Sequence, residues 1–284
     1  MTTDWHQLDR EPGLPALFAK AATRRKITGT TLPDIGLRCW VDIDPQRLAA
    51  YRKVCGFADN SLLPPTYPHI LAFALQMQLL TRHEFPFPLL GLIHLSNRIR
   101  VSRPMGGLHR AQVSVRVQNL QPHAKGATFD LLTTLEDQLG TLWEAQSTML
   151  CRGVKLEGEP VEEVIASTLP LTQIAQWKAP ADIGRRYAKV SGDYNPIHLS
   201  AASARLFGFP SAIAHGLWNK ARTLAALDEH LPTANYEIAV QFKKPVRLPS
   251  EVALLASAAG SSGELQLIGS GDLEHMAGNW QPLG

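Results

Sequence analysis

Within six residues, the segment Asp193-Tyr-Asn-Pro-Ile-His198 carries a carboxylate, a carboxamide and an imidazole. Gly192 before it and Pro196 inside it keep this stretch from being one regular helix, since glycine opens left-handed backbone and proline removes a donor. Asp193, Asn195 and His198 can therefore converge on one substrate atom. Ala214-His215-Gly216-Leu217 follows and reads as a helix start, where the first N–H groups lack intrahelical acceptors. An acid, a base and a backbone donor are the parts needed for proton transfer next to a carbonyl. The plainer reading of Gly192-Asp-x-Asn-Pro196 is an Asx-turn or a cap ahead of Ala201–Phe207. His215 reads first as a packing or capping residue, and a metal trio of Asp193, His198 and His215 is a weaker alternative. Nothing marks Ser191 as an activated nucleophile, and no GxSxG elbow occurs.

The elements that must position these groups recur in the chain. Tyr51-Arg-Lys-Val-Cys-Gly56 matches Tyr187-Ala-Lys-Val-Ser-Gly192 at an offset of 136. Pro64-Pro-Thr-Tyr-Pro-His69 resembles Pro210-Ser-Ala-Ile-Ala-His215 at an offset of 146, and Ile99–Met105 echoes Val240–Val246 at 141. The order is the same in both halves, as in a duplicated unit. The ten residues gained in the second half fall on the stretch from Asp193 onward, and Phe57 and Leu62 stand where Asp193 and His198 stand. Each half also has one helix, from Pro68 to about Leu80 (apolar nearly all round) and from Ala214 to Leu227 (apolar at helical spacing). Alternating segments follow each helix: Leu95–Val101, Ala111–Val117, Thr128–Leu135 and Leu142–Leu150, then Tyr236–Phe242, Glu251–Ala259, Glu264–Gly269 and Leu273–Asn279. Turns are expected at Asp137–Gly140 and Gly260–Gly263. The pattern predicts an α+β chain in which each half curves an antiparallel sheet around its helix, the two joined as a pseudo-dimer. The expected division is 1–152 for a degenerate unit, 153–170 for a linker and 171–284 for the active unit.

Bulk properties exclude several classes. The chain has 284 residues, 45% of them hydrophobic, and a formal charge of +3. Its densest basic cluster, Arg24-Arg25-Lys26, is too short to make a nucleic-acid arm. No apolar run approaches the ~20 residues of a membrane helix, and the N-terminus carries no basic region ahead of an apolar one. Three scattered cysteines, Cys39, Cys55 and Cys151, argue against a disulfide framework and point to a reducing, cytoplasmic setting.

Tyr-x-x-x-Ser-Gly-Asp-x-Asn-Pro-x-His over Tyr187–His198, with Ala-His-Gly at Ala214–Gly216, resembles the signature of the MaoC-like, (R)-specific enoyl-CoA hydratases. The resemblance is close from Tyr187 to about Leu248 and implies a double hot-dog with one degenerate half. It implies reversible hydration of a trans-2-enoyl-CoA to the (R)-3-hydroxyacyl-CoA. Asp193 and His198 match the acid/base pair, Asn195 the residue that helps hold the water, and Gly216 the oxyanion N–H. Leu217-Trp218 replaces a Met-Leu or similar pair of many relatives, so Trp218 is expected to shape the acyl pocket. Lys243, Lys244 and Arg247 are candidates for coenzyme A phosphates, with His215 a further substrate contact. No cofactor or metal is expected, coenzyme A being part of the substrate. The partners expected are the acyl-CoA thioester first and an acyl carrier protein second, with the chain a monomer or homodimer. Alternatives are a non-catalytic acyl-thioester-binding protein and a dehydratase of carrier-bound or dicarboxylic substrates. A hot-dog thioesterase would need a carboxylate on the long helix, and Leu217–Leu227 has none.

Overall fold

The computed structural model describes residues 3–161 and 164–284. β1 (Asp4–Leu8), α1 (Leu14–Thr23), β2 (Ile35–Asp42), α2 (Pro45–Cys55) and α3 (Tyr67–Leu80) open the chain. β3 (Ile93–Val101), β4 (Arg110–His123), β5 (Gly126–Asp137) and β6 (Gly140–Arg152) follow, with the β5–β6 hairpin closing at the expected Asp137/Gly140 pair. Next come β7 (Thr172–Ala179), α4 (Ile183–Ser191), one 3-10 turn (Pro196–His198), α5 (Ala201–Arg205) and α6 (Gly216–Ala226). β8 (Tyr236–Phe242), β9 (Ser250–Ala256), β10 (Gly263–Ile268) and β11 (Glu274–Pro282) end it. Among the described residues no helix or strand lies between β6 and β7, the span expected to connect the halves.

These elements form two compact units, and neither is a continuous stretch. Residues 1–43, 71–98 and 108–164 make the first, while 44–70, 99–107 and 165–284 make the second. The division differs from a simple cut after residue 152, because α2 and the start of α3 join the C-terminal elements.

In the first unit the strand order is β1-β2-β4-β5-β6-β3, antiparallel at β2–β4, β4–β5 and β5–β6 and parallel between β1 and β2. Leu37, Cys39, Val41, Val113, Val115 and Leu135 alternate into its core. Phe129 joins Phe85 and Phe87 in an aromatic cluster, with ring centroids 5.3–5.8 Å apart, each pair worth ~0.5–1.5 kcal/mol beyond its burial. Leu71, Ala72, Leu75 and Leu79 of α3 are buried there, and its one buried glutamine, Gln76, donates to Thr133 Oγ1 at 2.9 Å. A helix apolar on nearly all sides thus becomes a core helix, and its buried amide is satisfied.

In the second unit the order is β8-β11-β10-β9-β7, all antiparallel. Val252, Leu254, Leu265, Leu267, Met276 and Trp280 face inward. α2 and α4, the two copies of the repeated hexapeptide, pack together here, with Tyr51 and Tyr187 rings 6.1 Å apart. Both helices end on left-handed glycines: Gly56 (φ 78°) donates to Arg52 O and Gly192 (φ 84°) to Ala188 O. A side chain at either position would strain the cap. The last carbonyls of α4, Val190 and Ser191, accept from Arg47 of α2, and Val54 near the end of α2 accepts from Trp218 of α6. Each helix of the repeat therefore has orphan C-terminal carbonyls satisfied by a side chain from another helix.

Candidate active site

Beyond the Gly192 cap the chain turns tightly, each polar side chain holding the next backbone group. Asp193 N donates to Ser191 Oγ (3.1 Å), Asn195 N to Asp193 Oδ1 (3.1 Å) and Ile197 N to Asn195 Oδ1 (3.4 Å). The Asx-turn and cap read as the plainer alternative are therefore present, but they occupy only one carboxylate oxygen. The second, Asp193 Oδ2, lies 3.8 Å from His215 Nε2. The 3-10 turn that carries His198 presses on the first turn of α4 at Gly184, where a Cβ would overlap the His198 carbonyl oxygen.

His198 is fixed from the other side by an extended segment. Ala214 N donates to Val246 O and Leu248 N to Ala212 O, both at 2.8 Å, which leaves Ile213 O turned toward the imidazole. His198 Nδ1 lies 2.8 Å from that carbonyl. A carbonyl only accepts, so Nδ1 carries the proton and Nε2 presents a bare lone pair. The His215 ring stacks on His198 with centroids 3.7 Å apart, and its Nε2–H donates to the Asp193 backbone carbonyl at 3.0 Å. His215 thus touches both members of the pair, and its buried Nδ1 has no hydrogen-bond partner.

Burial lowers the His198 pKa to about 3, helped by His215 and opposed by Asp193 and the Ile213 carbonyl. Burial likewise lowers His215 to about 4, although its bond to Asp193 pulls the other way. Asp193 is raised by burial, against the pull of His198 and the Asn195 N–H. Both shifts disfavour a charge-separated Asp193/His198 pair and leave Nε2 free to accept a proton at neutral pH.

α6 begins one residue after His215. The His215 side chain makes no capping bond, so the N–H groups of the first turn, Gly216 included, carry the helix's positive end without a side-chain acceptor. Asp193, His198 and His215 offer ligand atoms within 4.8 Å of one another. The two rings are tilted by only 27°. Their in-plane lone pairs therefore run side by side rather than converging on one ion, and Nδ1 of His198 and Nε2 of His215 are already engaged.

The other expected site residues are placed differently. Trp218 is buried and its indole N–H donates to Val54 O, a bond that ties α6 to α2. Lys243 Nζ donates to Ile165 O and lies 3.9 Å from Glu274, so it is partly committed within its own unit. Lys244 and Arg247 are exposed, and Arg247 bridges to Ile213, whose carbonyl holds His198. The sequence reading missed Gly184, Arg47 and the Ile213 carbonyl, none of which has a signature of its own. It also missed Arg52, which stands at the place of Ala188 in the repeat. The buried Arg52 guanidinium donates to Ala58 O, Asp59 Oδ1, Asn60 O and Leu62 O, holding the short loop where the acid/base pair is absent.

Known proteins with similar sequence or structure bear on this geometry. A family model described as "MaoC like domain" matches residues 156–268. The 3-hydroxyacyl-thioester dehydratase X of Mycobacterium tuberculosis is 37% identical over 227 residues, covering 79% of this chain and 80% of its own. The chain belongs to the MaoC-like dehydratase family. The crystal structure of HtdX from Mycobacterium tuberculosis superposes with a TM-score of 0.76 at 32% identity, over 87% of this chain and 100% of that one. A mitochondrial 3-hydroxyacyl-[acyl-carrier-protein] dehydratase of Arabidopsis thaliana is 33% identical over 75 residues, 26% of this chain and 45% of its own. The fold of this MaoC-like protein is accordingly the α+β double hot-dog.

Proposed function

We propose that this MaoC-like protein is a hydro-lyase that interconverts a trans-2-enoyl thioester and its (R)-3-hydroxyacyl partner. The observation that carries the reading is the bare, oriented Nε2 of His198 beside the half-engaged Asp193 carboxylate, with His215, the residue before an uncapped helix start, stacked on its ring. In the hydration direction His198 Nε2 takes a proton from water as the oxygen bonds to Cβ. The π electrons move onto the thioester oxygen, where the Gly216 N–H receives the charge. A proton then reaches Cα through the Asp193/His198 pair, and the carbonyl re-forms. Asn195, with its Oδ1 committed to the turn, has its amide NH₂ available for the water. The reaction needs no redox group, and the thioester carrier is part of the substrate. Coenzyme A is the first choice of carrier, with Lys244 and Arg247 as exposed cations for its phosphates.

The test is a panel of trans-2-enoyl-CoAs, followed by loss of the conjugated thioester absorbance. Asp193→Asn and His198→Gln should each lower kcat by ~10²–10⁴-fold while circular dichroism stays unchanged. Full activity in either folded variant would show the role assignment to be wrong, and release of free thiol would show a thioesterase instead.

A further inference from the structure

The outer face of α4 has features that the chemistry at Asp193 and His198 does not use. Arg185, Arg186 and Lys189 are exposed there, while Ile183, Gly184, Tyr187, Ala188, Val190 and Ser191 are buried on the opposite side. Arg185 Nη1 donates to Leu199 O at 3.0 Å, one residue after His198, so this cationic face borders the turn that carries the imidazole. α5 borders the same turn from another direction, since Ser203 Oγ donates to Pro196 O at 2.7 Å. It adds the exposed Arg205, and the chain beyond it exposes Leu206 (84%) and Phe207 (41%). Tyr194, between Asp193 and Asn195, is 46% exposed. Across residues 183–209 the only acidic side chain is Asp193, against Arg185, Arg186, Lys189 and Arg205. Among the described residues Arg186, Lys189 and Arg205 have no ion-pair partner.

Cations around an exposed apolar group, beside the turn that carries His198, have the composition of a protein-docking patch, a polar rim around apolar anchors. Coenzyme A phosphates alone would leave Leu206, Phe207 and Tyr194 in water. An acidic protein with apolar side chains of its own would cover both kinds of residue. We propose that the outer face of α4, with α5 and Leu206-Phe207, docks an acidic acyl carrier protein that presents the acyl chain on its flexible thioester arm. The inference rests on the hydro-lyase reading above and names the partner that would deliver the substrate. Complementary charge would steer encounter, and the apolar pair would give the docked state its lifetime.

The experiment compares one acyl group, crotonyl, on an acyl carrier protein and on coenzyme A, with wild-type protein, Arg186→Glu/Lys189→Glu and Leu206→Ser. These side chains are exposed and make no bond that holds the dyad. For the carrier-bound substrate, kcat/KM should fall roughly tenfold or more in the charge-reversed variant and by a smaller factor in Leu206→Ser. For crotonyl-CoA both variants should stay within about twofold of wild type, as expected for a contact remote from the small substrate. Equal losses on both substrates, no loss on either, or a wild-type protein that uses only crotonyl-CoA would overturn the proposal. So would binding to anionic phospholipid vesicles that the double variant abolishes without changing carrier-bound kinetics. Wild-type protein inactive on both substrates would instead sink the hydro-lyase reading itself.

Discussion

His198 shows how one carbonyl and one neighbour can fix the state of a base. Ile213 O selects its tautomer, while burial and the stacked His215 hold its pKa near 3. If His198 is the base, kcat/KM should show no inflection at the usual imidazole value of about 6.5, and any acid limb should lie well below it. A pH profile of crotonyl-CoA hydration with an inflection near 6.5 would contradict this. The same shifts set a stability trend. His198 and His215 bind protons less readily folded than unfolded, so between about pH 6.5 and their folded values of about 3 and 4 the unfolded chain holds more protons. Stability contributed by these neutral rings is therefore lost as pH falls through that window. Asp193, raised in the fold, acts in the opposite sense and softens the trend. Thermal melts from pH 7.5 down to 5 should decline more steeply in wild type than in His215→Gln, which removes one of these groups. His215→Gln should also lower kcat more than it raises KM, because the ring holds the Asp193 backbone and stacks on the base.

At the scale of elements, Gly184 is the contact that sets how closely the His198 turn approaches α4. Gly184→Ala should destabilise the protein by ~1–3 kcal/mol, because the added Cβ meets backbone and not a flexible side chain, and should lower kcat by about 10²-fold, the cost of roughly 1 Å of misplacement. Stability close to wild type with full activity would show that the turn can shift without consequence. The connecting span has its own anchor. Glu264 accepts from Ser167 Oγ, Thr168 N, Thr168 Oγ1 and Leu169 N at 2.6–2.9 Å. Partial desolvation, which would raise its pKa, is outweighed by the donors of Leu169, Ser167 and Thr168, and the carboxyl is held at about 2. Glu264→Ala should destabilise the protein by ~1–3 kcal/mol in urea unfolding. The contribution should be present above about pH 4.5 and fade as pH falls toward about 2. Much of this level was legible in the sequence. α3, α6 and eight of the strands lie where periodicity placed them, and the hairpin turns fall at Asp137–Gly140 and Gly260–Gly263. β1 and β7 were not read, since their apolar residues do not alternate cleanly enough to separate strand from loop; β2 was missed although Ile35, Leu37, Cys39 and Val41 do alternate. The convergence of Asp193 and His198 could be anticipated from glycine and proline positions. The Gly184 contact, the Ile213 carbonyl and the scaffold bond of Trp218 arise from residues distant in sequence and carry no local signal.

At the scale of the molecule, the repeat is not simply one fold followed by another. The residues that match a MaoC-like domain, 156–268, omit α2, yet α2 lies in the same compact unit and supplies Arg47, Tyr51 and Val54 to α4 and α6. A fragment starting at residue 165 should therefore lose the near-ultraviolet signal of packed aromatic side chains and show no hydratase activity. A rigid, active fragment would show that α2 is dispensable. The pairing of α2 with α4 also has a consequence for the growing chain. During synthesis α2 emerges with Tyr51 met only in part by Phe57, Thr66 and Tyr67, and its partner helix lies 136 residues further on. At ~5–20 residues per second the delay is on the order of ten seconds. Throughout that interval the nascent chain exposes a seam that only its own later half fits, so the ribosome-bound intermediate should be a client for holding chaperones until the second tyrosine helix arrives.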